Sequence, residues 1–97
     1  VARAAGFSCV RDLVGHGVGH ELHEDPQIPN YTGSHLSNFR FRAGMTVALE
    51  PMINAGTYQV RLAEDNWTFI TKDGRLSGHA ENTILITPTG SEILTQL

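Results

Sequence analysis

A single cysteine, Cys9, among 97 residues leaves no partner for an internal disulfide and excludes a metal site built from several thiolates. That usage fits a reducing compartment. No run approaches the eighteen or so consecutive apolar residues of a membrane-spanning helix, and the opening VARAAGFSCV lacks the charged-then-apolar build of a secretory signal. A soluble protein with no membrane partner is expected. Positive charge is scarce too: seven Lys+Arg stand against ten Asp+Glu, for a formal net charge of −3, and the basic residues are scattered rather than gathered into the stripe that binds nucleic acid. At this length the chain is at most one domain, hiding roughly two-thirds of its unfolded surface.

What the sequence does have is a cluster of glycine and histidine. Helix is confined to the start, where Ala2, Arg3, Ala4 and Ala5 favour it and Gly6 stops it. The opening of the Val1–Leu13 segment thus reads as the tail of a helix, and a chain that opens there is expected to be part of a longer one. GHGVGHELH over 15–23 spaces glycines at 15, 17 and 19, which costs a helix about 1 kcal/mol each. An extended strand is favoured, with the glycines on one face, open to a neighbouring backbone, and His16, Val18 and His20 on the other. Pro26 and Pro29 mark an irregular loop through Gly33. Met45 to Ile53 reads as one buried strand, Trp67–Thr71 and Leu76–Thr87 as the arms of a hairpin about Asp73-Gly74, and Glu92–Thr95 as a last short strand. The class is α+β, rich in antiparallel strand.

Three kinds of residue could carry chemistry. His16, His20 and His23 stand at intervals of four and three, a ligand spacing on a helix, but in a strand His16 and His20 are about 13 Å apart and at most one can hold an ion. Glu50 lies inside an apolar strand. An unpaired buried carboxylate costs several kcal/mol, so Glu50 either has a cation as partner or turns to solvent before Pro51. Glu81 has the same two readings. One imidazole and two carboxylates make a nitrogen and oxygen ligand set suited to Mn, Fe, Co or Zn. Trp67, the only tryptophan, is either a packed cross-strand aromatic or a pocket wall. His79, His35 and Cys9 read as structural or surface residues.

GHGVGHELHEDP at 15–26, Gly44-Met45 followed by ALEPMIN at 48–54, Trp67 before a TKDGR turn, and AENT at 80–83 together resemble type I methionine aminopeptidases. The resemblance covers essentially the whole chain, in family order, but only the C-terminal half of that enzyme. It implies the pita-bread fold shared with creatinase and prolidase, with residues 1–97 as the C-terminal half of a metallo-aminopeptidase domain. It implies a cytoplasmic enzyme with two divalent cations (Co, Mn, Fe or Zn) that removes N-terminal methionine from peptides and nascent proteins.

By match to the family motifs, His16, Glu50 and Glu81 are similar to metal ligands, and two aspartate ligands belong upstream of Val1. Glu50 is also the implied proton shuttle. His23 resembles the histidine that contacts the substrate carbonyl and stabilises its oxyanion, and Leu22 and Trp67 border the methionine pocket. Leu22 stands where many members carry Phe, Ala48 where Thr is common and Asn82 where His is frequent. Two other outcomes belong to the same superfamily: a partner-binding module without catalysis, and an Xaa-Pro peptidase, whose strand typically continues Glu-Pro-Gly instead of Glu50-Pro51-Met52. With one imidazole and two carboxylates facing two ions, the lone chain is expected to be inactive and to need the N-terminal half as partner.

Overall fold

Short runs of β-branched and apolar residues, interrupted by Gly, Pro and Asp, favour strands over helices. In the computed structural model, which describes residues 1–36 and 38–97, the helix tail expected to stop at Gly6 is one 3-10 turn, Arg3–Ala5. Gly6 closes it at φ 83°, a left-handed conformation that costs glycine nothing. The other regular elements among the described residues are strands: β1 (Ser8–Cys9), β2 (Gly15–Gly17), β3 (Glu24–Ile28), β4 (Thr46–Leu49), β5 (Met52–Asn54), β6 (Val60–Leu62), β7 (Phe69–Thr71), β8 (Ser77–His79), β9 (Asn82–Thr87) and β10 (Gly90–Ile93). Every pairing is antiparallel.

The strands form a five-stranded sheet in the order β10-β9-β4-β2-β3, a three-stranded sheet β1-β5-β8 and a two-stranded ribbon β6-β7. Three chain segments pass between the two larger sheets: β1 leads to β2, β4 to β5, and β8 to β9. The last two crossings lie side by side. Leu49 pairs with Asn82 on one side of the joint and Met52 with His79 on the other, so Glu50-Pro51 faces Ala80-Glu81 across it, with Ala80 N–H donating to the Pro51 carbonyl at 3.3 Å.

Several sequence expectations change here. Met45–Ile53 is two strands in different sheets rather than one, because Pro51 has no N–H to continue the ladder. The Asp73-Gly74 turn is present, with Gly74 at φ 72°, but it joins no hairpin. β7 pairs back onto β6 in a hairpin of its own, while β8 finds a more distant partner in β5. Gly19 lies beyond the end of β2, and Pro26 sits within β3, at the edge of its sheet, where a missing donor is tolerated. The last strand is Gly90–Ile93, two residues earlier than the sequence indicates.

The core is thin. Val10, Val47, Ala48, Met52 and Ile84 are the buried apolar residues, with Asn54 wholly enclosed beside them and donating to the Thr57 carbonyl. The chain exposes 7352 Å², against about 5,500 Å² for a compact monomer of its mass. Large apolar side chains are part of that surface, including Trp67 and Leu76 at 84% and 85% exposure.

Candidate metal centre

His16 owes its position to the glycines on either side. A Cβ at Gly15 would run into the Ala48 carbonyl oxygen, and one at Gly17 into that of Asp25. Only glycine lets β2 sit this close to both neighbours, and His16 between them is paired with Ala48 on one side and Gln27 on the other. Its ring Nδ1 lies 2.8 Å from the Gly17 carbonyl, a bond that keeps a proton on Nδ1 and leaves the lone pair on Nε2. Nε2 stands 3.0 Å from Oε1 of Glu50, and both side chains are largely buried, at 12% and 14% exposure. A neutral ring so oriented sets lone pair against lone pair. A second ring proton or a cation between them satisfies the arrangement.

Glu50 occupies the crossing from β4 to β5 and Glu81 the crossing from β8 to β9. At these joints side chains are released from the inward and outward alternation of a continuous strand. One ligand atom each from His16, Glu50 and Glu81 lies within 4.8 Å of the other two, with Glu81 contributing from the exposed side. Hard oxygen and imidazole nitrogen donors at this spacing fit a divalent first-row ion.

His23 also reaches this region: its ring centroid is 4.3 Å from that of His16. The chain folds back between them, with Gly19 N–H donating to the Glu21 carbonyl and Glu21 N–H to the Glu24 carboxylate. His20 is exposed and stays outside. His16, His23, Glu50 and Trp67 line one open cleft of 1080 Å³, joined by Leu62 and Phe69 from the ribbon. Leu22, expected beside the pocket, is exposed and is not among the residues that line it.

Trp67 is presented by the turn joining β6 to β7. Asn66 takes φ 56°, a left-handed position that Asn accepts more readily than most residues. Asp65 accepts from the N–H groups of Trp67 (3.0 Å) and Thr68 (2.8 Å) and from the Thr68 hydroxyl. The Thr68 hydroxyl foremost, then these N–H groups, hold the Asp65 carboxyl below the usual carboxylate range.

Sequence reasoning missed His79. Its Nε2 lies 3.3 Å from Oε2 of Glu50 and it lines the same cleft. The available signal was its place two residues before Glu81, the spacing that shares a face in extended chain.

Known proteins resemble the chain closely. A methionine aminopeptidase of Clostridium perfringens is 53% identical over 92 residues, which are 95% of this chain and 36% of the relative. Methionine aminopeptidase 1 of Bacillus subtilis is 54% identical over 91 residues, 94% of this chain and again 36% of the relative. The crystal structure of a methionine aminopeptidase from Thermotoga maritima superposes with a TM-score of 0.92 at 52% identity, covering 99% of this chain and 38% of that one. The chain therefore spans little more than a third of the length of these relatives, and its antiparallel strands are those of part of the pita-bread fold. Residues 1–88 match Metallopeptidase family M24, and with a donor set suited to a divalent ion at the joint of its sheets, this chain belongs to that family.

Proposed function

We propose that residues 1–97 form the C-terminal half of a methionine aminopeptidase domain, and that His16, Glu50 and Glu81 hold part of a centre of two divalent cations (Co, Mn, Fe or Zn). The observation that carries this reading is the convergence of those three donors within 4.8 Å. The name methionine aminopeptidase borne by the relatives supports an N-terminal methionine as the substrate class, and the reading takes nascent chains as its source and the cytoplasm as its location. A divalent ion supplies charge stabilisation for a scissile carbonyl and acidifies water.

The chain's own residues do the rest. Glu50, at the floor of the cleft, takes a proton from water at its carboxylate and passes it to the departing amine. His23, beside His16, donates an N–H to the carbonyl oxygen as charge develops there. Trp67, Leu62 and Phe69 offer an apolar wall to an unbranched side chain such as methionine, with the turn at Asp65 fixing the indole. Two further aspartate ligands belong to the segment that precedes this one in the family, so that segment is also the proposed partner.

The test is hydrolysis of a Met-Ala-Ser peptide with Mn²⁺, Co²⁺ or Fe²⁺. No methionine is expected from the lone chain, release is expected when the N-terminal half is added as a separate polypeptide, and His16→Ala is expected to abolish it. Robust turnover by the lone chain, or full activity of the complemented His16→Ala variant, overturns the proposal.

A further inference from the structure

Glu50 divides its two oxygens between two imidazoles. Oε1 faces His16 at 3.0 Å and Oε2 faces His79 at 3.3 Å. The group of donors that mutually approach within 4.8 Å contains His16, Glu50 and Glu81 but not His79, so His79 touches Glu50 through the oxygen that does not face His16 and stands outside that group. Its side chain is 47% exposed while that of Glu50 is 14% exposed, and its neighbours on β8, Ser77 and Gly78, are exposed as well. His79 is therefore not a core-filling residue. Its location is set by the Met52–His79 pair at the end of the three-stranded sheet, one step past the joint that carries Glu50. The terminal torsion of a glutamate is broad and roughly two-fold, and a hydrogen bond to one oxygen removes that freedom before the other is used. Outer partners of this kind set the orientation and basicity of the ligands they touch.

We propose that His79 is a positioning residue of the metal centre: its Nε2–H donates to Oε2 of Glu50 and turns Oε1 toward the ion shared with His16 and Glu81. The inference rests on the reading of those three residues as ligands.

The test uses the 97-residue chain in complex with the N-terminal half proposed as its partner, and Mn²⁺ alone, titrated by calorimetry and electron paramagnetic resonance. His79→Leu is expected to weaken Mn²⁺ binding about 10–100-fold, while His79→Gln, which keeps an N–H of similar reach, stays near the unaltered chain. Both should keep the parent's circular dichroism and metal-free thermal midpoint. In the unaltered chain loaded with Zn²⁺, long-range proton–nitrogen NMR should find the His79 proton on Nε2. Unchanged binding by His79→Leu overturns the proposal. So does a proton on Nδ1 with Nε2 on the ion, which makes His79 a ligand. His16→Ala separates the two readings: if it loses the ion while His79→Leu does not, only the role of His79 fails, whereas an unaltered complex of the two halves that binds no Mn²⁺, or a His16→Ala variant of it that binds the ion fully, brings down the centre itself.

Discussion

Gly15 and Gly17 keep β2 at a distance from its neighbours that no side chain permits, and this gives single residues measurable weight. Gly15→Ala and Gly17→Ala each drive a methyl group against a carbonyl oxygen of the adjacent strand, and should destabilise the chain by about 1–3 kcal/mol or more, read as a lowered urea midpoint. Gly78→Ala is the control, because nothing lies within 4 Å of its added Cβ, and it should leave the midpoint unchanged or slightly raised. Trp67 makes the opposite case. At 84% exposure, Trp67→Ala should alter stability by no more than about 0.5 kcal/mol. In the complemented enzyme it should raise KM for methionine peptides without lowering metal content. A large loss of stability would instead make Trp67 a packing residue.

At the scale of elements, the turn between β6 and β7 depends on an ionised Asp65. Its carboxyl is held low in the folded chain, so the contribution is complete above the unfolded value of about 3.9 and disappears as pH falls through the lower folded value. Trp67 fluorescence should be constant from pH 5 to 8 and shift only below about pH 4. Asp65→Ala should produce that shifted spectrum at neutral pH. Asp73, held low by the N–H groups of Thr57 and Arg75, should lose its grip on the neighbouring turn over the same acid range.

Strand character and turn residues were legible in the sequence at this scale. The glycine spacing placed His16 on an open strand, and an acid in an apolar run marked Glu50. Which strands pair was not legible. Alternation reports which face a residue occupies, but it is silent on whether Met45–Ile53 stays in one sheet or crosses to another at Pro51. For the same reason Asp73-Gly74 looked like a hairpin, although β7 and β8 go to different partners. His79 was hidden because its relation to Glu50 arises across the β5–β8 pairing, between residues 29 positions apart.

For the whole molecule, the surface exposed beyond that of a compact monomer is of the order of 1,900 Å², roughly twice the ~800 Å² that one partner contributes to a standard protein–protein interface. With apolar side chains such as Trp67, Leu76 and Leu22 on that surface, the chain alone should self-associate with rising concentration. In the presence of the N-terminal half it should form a one-to-one complex, and sedimentation velocity distinguishes the two. A monodisperse monomer at high concentration that ignores the added half would contradict this.

The joint between the sheets has one more consequence. His16, Glu50 and Glu81 are each more than thirty residues from the next in the chain, and they meet only where β2 lies beside the two crossings that carry Glu50 and Glu81. No local stretch, however well formed, brings two of them together. Ion capture is thus a late event that waits for long-range pairing, and a metal-sensitive signal followed during refolding should lag behind the appearance of strand, acting as a clock for completed topology.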